Sequence, residues 1–448
     1  MGLRRQLLSQ SGIIFVARMF GAGLIFLVQA AITRIWGAEA LGEYLLLIAA
    51  TNIISVILPL GFETIGSYFA AEYRVKGEGR QLRGFMLRAY GHIFALMALL
   101  VIGGHYLFGT FGAPGQVLLQ HWVPLCMMTF GNALVLVSSA LLIGIKRPYA
   151  AFFIDSLFRT VLIIGSLGIA WLAVTTGDRF DLLIWLVACA YLIVGLGQTA
   201  YCLWFVREVP LEPAPRAGEP RRWWRFALPW VIIILATDFF FDLDLIFLSG
   251  LMAKEDLAVF GVCARIFMLV SFGVTAVYSV TLPDIFESGI RDGDGAFQKK
   301  VGDTNMVAAV IAVVILVGLA LGGPILLMLF GQEFLVGAVP LTVLGVGLLV
   351  RALTGPAALA LSMKDRPHTT LPAVVAGVAT LVVANLALVP SMHLLGAAIA
   401  ALLSQSVWSI AMWFTALKVV KVDVSIIPRL RELLQARRDA AAAKPRDA

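Results

Sequence analysis

Long apolar runs separated by short polar connectors fill the sequence to about residue 416. A run of about 18 or more apolar residues is long enough to cross a bilayer as an α-helix, which satisfies its own backbone hydrogen bonds in lipid. The alternating pattern of a barrel strand is absent. The pattern predicts twelve membrane-spanning helices, at 12–33, 41–62, 85–107, 122–144, 152–174, 183–205, 227–250, 257–282, 303–328, 336–360, 370–390 and 394–416.

Two of the polar connectors resemble each other. Arg34–Tyr44 joins the first two predicted helices, and a shorter copy, Ala253–Phe260, joins the seventh and eighth, with Leu41 aligned to Leu257. Further weak matches between the two halves keep the same order. Because each half has an even number of helices, the repeats would be parallel and related by a pseudo-two-fold axis along the membrane normal.

The longest connector before the C-terminal end contains four prolines and separates two equal sets of helices. Proline and charge at this density predict an extended linker. The sequence therefore predicts an all-α polytopic membrane protein made of two six-helix bundles. We assign residues 1–206 to the N-terminal bundle, 207–226 to a cytoplasmic linker, 227–420 to the C-terminal bundle and 421–448 to a basic cytoplasmic tail.

Composition agrees with this class, since 60% of the residues are hydrophobic, 14% are charged and the mean hydropathy is +0.93. With the N-terminus in the cytoplasm, the inside segments hold 27 Lys and Arg, whereas the outside connectors hold only Arg34, Arg179 and Lys254. The positive-inside rule then places both termini in the cytoplasm. The net charge of +7 reflects this topology and contact with anionic membrane lipids, and requires no nucleic-acid partner.

Four basic residues remain, and all fall inside predicted helices: Arg18, Arg159, Arg265 and Arg351. Such a charge is costly, about 2.5–3.5 kcal/mol for Arg at a helix centre, so it usually faces a wet cavity or a partner. Asp155 lies four residues before Arg159 on the same helical face, which predicts a structural ion pair. The other three arginines have no acid one turn away.

The chain resembles a known family in its Arg34–Tyr44 connector, in Pro229 ahead of Asp244–Gly250, and in Thr281–Pro283 closing helix eight. Leu329–Phe334 and Gly396–Ala401 add to this resemblance. Together these segments are similar to the Wzx-type polysaccharide-biosynthesis flippases of the multidrug/oligosaccharidyl-lipid/polysaccharide exporter superfamily. The resemblance implies alternating-access movement of undecaprenyl-pyrophosphate-linked oligosaccharide from the inner to the outer leaflet of a bacterial cytoplasmic (inner) membrane, for surface polysaccharide assembly.

In the arrangement that this family implies, helices one and eight lie near the interface between the halves. Arginines without an acid one turn away would suit a pyrophosphate or an acidic sugar, because Arg binds phosphate oxygens bidentately and stays charged. We predict that Arg18, Arg265 and Arg351 bind substrate in a cavity. The alternative is that each pairs with carbonyl groups or an Asp and is structural.

Predicted helix seven carries an acidic cluster. Asp238 and Asp242 are one helical turn apart and are expected to share a face, whereas Asp244 points elsewhere. Two close carboxylates in a region of low dielectric favour uptake of a proton. We predict an ion-coupling site for H⁺ or Na⁺ at Asp238 and Asp242. The alternatives are ion pairing to Arg18, Arg265 or Arg351, and simple exposure of Asp242 and Asp244 near the outer surface.

Other features point to no chemistry. Glu63, at the end of predicted helix two, is expected at the mouth of the cavity or in contact with the inner headgroups. The five histidines and four cysteines lack metal-ligand spacing, and the sequence contains no phosphate-binding loop, zinc-protease motif or nucleophile elbow. We therefore expect no metal, no cofactor and no enzymatic activity.

An ion-coupled drug or cation antiporter of the same superfamily is the main alternative, although a cationic cavity would repel cationic drugs. A lipid II flippase would be expected to carry two further helices. A membrane polysaccharide polymerase or ligase would be expected to carry a large outer loop, but the outer connectors are short. The expected partners are the lipid-linked oligosaccharide, anionic lipids and a polysaccharide polymerase or glycosyltransferase, with the chain itself a monomer.

Overall fold

The structure is a computed structural model and describes residues 3–173, 178–207, 209, 219–291, 293–363 and 367–442. Helices account for nearly all of these residues. They are α1 (Leu3–Ile57), α2 (Phe62–Lys76), α3 (Gly79–Gly109), α4 (Gly112–Gln120), α5 (Trp122–Gly144), α6 (Pro148–Phe153), α7 (Arg159–Leu172), α8 (Arg179–Val206), α9 (Glu219–Thr237), α10 (Phe240–Leu248), α11 (Lys254–Arg291), α12 (Gly293–Met328), α13 (Ala338–Thr354), α14 (Ala357–Met363), α15 (Leu371–Val419) and α16 (Ile427–Ala442). A π-helix, Ile154–Phe158, joins α6 to α7, and 3₁₀ turns occupy Gln332–Gly337 and Pro367–Thr370.

Within the described residues, nine helices are long and apolar enough to cross a membrane. Two of them each contain two predicted spans. The helix α1 bends at Gly37, with φ 89° and ψ 174°, and α15 bends at His393, with φ 47° and ψ −125°. The predicted loop at Arg34–Tyr44 is therefore helical except at Gly37, because only that residue leaves the helical conformation. Twelve crossings and a two-fold relation between two bundles stay predictions.

The chain forms two compact units, Met1–Gly261 and Val262–Ala448. Helices α9 and α10 and the first turns of α11 belong to the first unit, so the division falls inside α11 and not at the predicted linker. Half of that linker, 208 and 210–218, lies outside the described residues, and so does the end of the predicted tail.

Helix α5 is the centre of the first unit and packs against α8, α2, α1 and α3. Its contact with α8 is unusually close. A Cβ atom built on Gly131 would lie 2.3 Å from the Tyr191 carbonyl oxygen, and one on Gly195 would lie 2.4 Å from the Gly131 carbonyl oxygen. Small residues permit such backbone approach between membrane helices. Polar side chains on α5 are therefore brought near those of its neighbours.

The second unit is built on α13, which packs between α12 and α15. The chain after α15 returns to the end of α13, where the Asn305 Nδ2 donates a 2.6 Å hydrogen bond to the Val424 carbonyl oxygen. Val422 and Val424 are buried against Ala357 and Leu361. The start of the predicted tail is thus part of the core of this unit.

Candidate functional site

A cavity of about 320 Å³ lies in the second unit, between α11, α13, α14 and α15. Its size is at the lower end of the range of ligand pockets, roughly 300–1,000 Å³. Arg351 is the charged residue of its wall, and the lining includes no carboxylate among the described residues. The lining residues are Thr275, Tyr278, Arg351, Thr354, Gly355, Pro356, Ala357, Ala358, Trp408, Ser409 and Met412.

Arg351 is held in the last turn of α13, where the carbonyl end of the helix favours a positive charge. The helix stops there because Gly355 adopts φ 78° against the Val424 carbonyl oxygen, 2.0 Å from where a Cβ would lie. In the part of the chain that the structure describes, the exposed guanidinium has no ion pair or hydrogen bond. It is therefore available to an anion.

Aromatic and hydroxyl groups surround this guanidinium. The Tyr278 hydroxyl donates to the Asn305 Oδ1 at 3.0 Å, which fixes the ring and leaves its oxygen as an acceptor. Trp408 adds an indole face, and its Nε1 is buried without a hydrogen-bond acceptor. One cation, two aromatic rings and several hydroxyls suit an anionic group that carries a polar ring, because each can contact a different part of such a ligand.

The other two predicted substrate arginines lie elsewhere. Arg18 on α1 is exposed, with its guanidinium 4.9 Å from the centre of the Phe152 ring. Arg265 on α11 contacts Met268 Sδ at 4.0 Å and precedes Tyr278 by about 20 Å along the helix, at about 1.5 Å per residue. Their joint binding of one substrate with Arg351 stays a prediction.

A second polar cluster crosses the middle of the first unit. The Arg159 Nη2 lies 2.6 Å from the Asp155 Oδ1, and its Nη1 donates to the Asn132 Oδ1 at 2.8 Å. The guanidinium also lies 4.7 Å from the centre of the Tyr191 ring. Asp155 belongs to the π-helix, an element that often marks a functional position. The predicted pair of Asp155 and Arg159 is thus in contact, and its structural role stays a prediction.

The cluster continues from α5 to α10. The Asn132 Nδ2 donates to the Ser55 hydroxyl at 2.7 Å and lies 3.5 Å from the Asn52 Oδ1. The Asn52 Nδ2 in turn donates to the Asp242 Oδ2 at 3.0 Å. A chain of polar contacts therefore connects Asp242 on α10 with Arg159 on α7 through two asparagine amides. We call the five residues Asn52, Asn132, Asp155, Arg159 and Asp242 the polar network.

The prediction that Asp238 and Asp242 share a helical face is wrong. The helix is interrupted at Asp238 and Phe239, and the Thr237 hydroxyl donates to the Asp238 Oδ1 at 3.1 Å. Such a local side-chain bond competes with helical structure. Asp238 is consequently exposed, whereas Asp242 and Asp244 are 5% and 0% exposed. The two buried carboxylates are therefore those of Asp242 and Asp244, although Asp244 was expected to lie on a different face of the helix.

Glu63 lies in the first turn of α2 and is 7% exposed. This position is outside the nine candidate spans. Burial raises the pKa of Glu63 to about 7, although the Thr64 hydroxyl donates to its Oε1 at 3.4 Å. It does not line the cavity of the second unit, so its place at the mouth of a cavity stays a prediction.

Residues 7–288 match the family model described as "Polysaccharide biosynthesis protein". The match covers more than half of the 448 residues. The chain belongs to this family. No curated protein sequence matches the chain at a significant level.

Solved structures of low sequence identity share the fold of this polysaccharide biosynthesis protein. One is an inward-facing multidrug-resistance MATE family transporter of the MOP superfamily, with 15% identity and a TM-score of 0.69 over 91% of this chain and 98% of that one. The lipid II flippase MurJ in an inward closed conformation has 13% identity and a TM-score of 0.70 over 90% and 87%. A MOP superfamily transporter from Pyrococcus furiosus has 16% identity and a TM-score of 0.64 over 90% and 93%.

The sequence did not identify Asn52 and Asn132 of the polar network, or Ser55, which accepts a hydrogen bond from Asn132. Each is a neutral polar residue within an apolar run, and such residues are also common at ordinary helix contacts. The only signal in the sequence was the presence of two asparagines, Asn52 and Asn132, within predicted membrane helices. Their side-chain partners lie 27 to 190 residues away in the sequence, so no local pattern connects them.

Proposed function

We propose that this protein is an alternating-access flippase that moves undecaprenyl-pyrophosphate-linked oligosaccharide from the inner to the outer leaflet of a bacterial inner membrane. The observation that carries the proposal is the Arg351 guanidinium in the wall of a cavity, without an ion pair among the described residues, in a chain of the polysaccharide biosynthesis family. A lipid-linked oligosaccharide presents phosphate oxygens followed by a sugar ring. Arg351 would bind the phosphate, and the rings of Tyr278 and Trp408 would contact the adjoining sugar.

The position of the cavity supports loading from the cytoplasmic side. In the predicted orientation, with both termini cytoplasmic, the end of α13 and the start of α14 lie near the inner surface. Arg351 at that end would meet the pyrophosphate where a lipid-linked precursor is first presented. Arg18 and Arg265, the other proposed substrate contacts, would act at other stages of the passage.

Coupling to H⁺ or Na⁺ is proposed at Asp242. This carboxylate is buried and accepts a hydrogen bond from Asn52, so a change in its charge would alter its bond to α1. Asp238, the second predicted coupling residue, is exposed and would serve in ion entry. The network itself would transmit the change to Arg159 on α7.

A drug or cation antiporter is the alternative, because MATE transporters share the fold. The cavity in the second unit argues against a cationic substrate, since its charged wall residue is an arginine and its lining contains no described carboxylate. The fold alone does not decide substrate.

The test is the location of lipid-linked oligosaccharide in cells that lack the protein. Loss of the protein should trap the oligosaccharide on the cytoplasmic leaflet, where a membrane-impermeant reagent added to intact cells cannot reach it. Wild-type protein should restore access, and Arg351→Gln should restore it poorly. Normal access in the deletion strain, with a changed resistance to cationic drugs, would favour the antiporter and contradict the proposal.

A further inference from the structure

The last helix, α16, is fixed on the second unit by its first turn. The Arg429 Nε lies 2.6 Å from the Asp303 Oδ1 on α12. Gly302 permits this approach, since a Cβ atom built on it would lie 2.8 Å from the Cβ of Arg429. Just before the helix, the Ile426 amide donates to the Leu353 carbonyl oxygen at 3.1 Å. Contacts with α12 and α13 therefore set the direction in which α16 runs.

The first turn of α16 lies at the expected depth of the inner headgroups. The helix α12 has 36 residues. Its length is about 54 Å at about 1.5 Å per residue, whereas the hydrocarbon core of a bilayer is about 30 Å thick. The span predicted on α12 begins at residue 303, where Arg429 is bound. In the predicted orientation, with both termini cytoplasmic, α16 therefore begins at the boundary between the inner headgroups and the cytoplasm.

The side of α16 turned away from Arg429 combines apolar and basic side chains. Leu430 and Leu434 are 46% and 49% exposed and lie one turn apart on the same face. Arg438 continues this row after another turn, and Arg431 lies at the edge of the face; both are exposed. We call Leu430, Arg431, Leu434 and Arg438 the tail surface.

The chemistry of the tail surface favours an anionic lipid surface over a protein partner. Helices that lie in a membrane interface place leucines at the boundary with the acyl chains and arginines among the headgroups. In the described part of the chain, neither Arg431 nor Arg438 has an ion pair, so both guanidiniums can bind phosphate oxygens. Two leucines offer a small apolar area, whereas a stable protein interface buries about 800 Å² on each partner.

We propose that the tail surface binds anionic phospholipids of the inner leaflet and holds α16 in the plane of the membrane interface. This binding also steadies a wall of the cavity in the second unit. The segment that leads into α16 contains Val424, whose carbonyl oxygen lies against Gly355. Gly355 ends the helix that carries Arg351. Lipid contact at α16 is therefore connected to the turn that holds the cavity arginine.

The lipid contact can be tested by quenching of a fluorophore on the tail surface. Leu434→Cys, in a full-length chain whose four native cysteines are replaced by alanine, carries the label. Glu432→Cys places the same label on the opposite side of α16, and Asp303 still holds Arg429 in that variant. In nanodiscs of phosphatidylcholine and phosphatidylglycerol, brominated lipid should quench the label at 434 about threefold or more strongly than the label at 432.

Charge variants test whether the lipid must be anionic. Arg431→Glu/Arg438→Glu should reduce quenching at 434 about threefold or more, to the level found in phosphatidylcholine alone, because like charges repel the headgroups. Arg431→Lys/Arg438→Lys should retain the quenching. Arg291→Glu, which changes an exposed arginine at the end of α11, is the matched control and should have no effect.

The results that would overturn the proposal are distinct. Equal quenching of the labels at 434 and 432, or equal quenching at 434 in neutral and anionic discs, would contradict it. Quenching at 434 by aqueous iodide and not by brominated lipid would also contradict it and would favour a protein partner. Leu430→Cys is the second reporter if Leu434→Cys does not fold, with folding checked by gel filtration in detergent. No oligosaccharide enters this assay, so its outcome is independent of the proposed flippase function.

Discussion

Replacement of Arg159 by Met is the sharpest test of the polar network. The variant removes the partner of the Asp155 carboxylate and the donor to the Asn132 amide oxygen, at 2.6 and 2.8 Å. Removing one member of a fully buried ion pair costs about 3–5 kcal/mol. The side chains of Arg159 and Asp155 are 20% and 28% exposed, which relieves part of this penalty. We expect a loss of about 2–3 kcal/mol in the free energy of unfolding.

The measurement is thermal unfolding in one detergent, followed by tryptophan fluorescence, in which the unfolding temperature of each variant is compared with that of wild type. Arg291→Met is the matched control, since its pair with Glu287 has the same spacing but side chains that are 72% and 60% exposed. Its loss should be about 0.5 kcal/mol or less. The double variant Asp155→Leu/Arg159→Met should lose less stability than Arg159→Met alone, because no unpaired charge remains.

The reasoning is refuted if Arg159→Met is no less stable than Arg291→Met. It is also refuted if the double variant Asp155→Leu/Arg159→Met loses as much stability as Arg159→Met alone, or more. Either result would mean that the guanidinium is solvated and contributes little to the packing of α5 and α7.

The remaining predictions concern substrate, coupling and pH. Arg351→Gln should lower the apparent affinity for the oligosaccharide in a flipping assay by roughly 10-fold or more, because a charge-assisted contact is lost, and Arg351→Lys should retain part of that affinity. If both variants were as active as wild type, Arg351 would not belong to the site. Asp242→Asn should reduce ion-driven flipping more than Asp238→Asn does, because only Asp242 is buried and bonded to the network; the reverse order would assign coupling to Asp238. Burial raises the pKa of Glu63 to about 7, compared with about 4.3 in an unfolded chain, so the folded state binds this proton more tightly. The free energy of unfolding should therefore fall by up to about 3 kcal/mol as the pH rises from about 4 to about 7. Glu63→Gln should remove that fall, and an unchanged pH profile of the unfolding temperature would contradict the burial argument.

The membrane class, the family and most of the spans follow from sequence because each apolar run is a local signal. The two bends lie within connectors that the pattern predicts, at Arg34–Tyr44 and at 391–393. The pattern does not show, however, that the chain stays helical on both sides of each bend, because only Gly37 and His393 leave the helical conformation. The interruption at Asp238 does not follow from the pattern either, since the apolar period continues across it while the Thr237 hydroxyl bonds locally.

The candidate sites show the same limit. The spacing of Asp155 and Arg159 is four residues, so their contact could be predicted along one helix. Arg351 could be singled out as a charge at membrane depth, but its cavity depends on Gly355 packing against Val424, far along the chain. The division of the chain inside α11 also depends on packing, because α9 and α10 join the first unit through contacts with α1.

Transfer of lipid-linked oligosaccharide between leaflets of a reconstituted vesicle is the measurement that tests the central claim most directly. Purified protein in proteoliposomes should make an inner-leaflet pool of undecaprenyl-pyrophosphate-linked oligosaccharide accessible to an impermeant sugar-modifying reagent. The account predicts rapid access with wild-type protein and slow access with Arg351→Gln, at equal amounts of folded protein. Access no faster than in protein-free vesicles, under an imposed H⁺ or Na⁺ gradient of either direction, would contradict it.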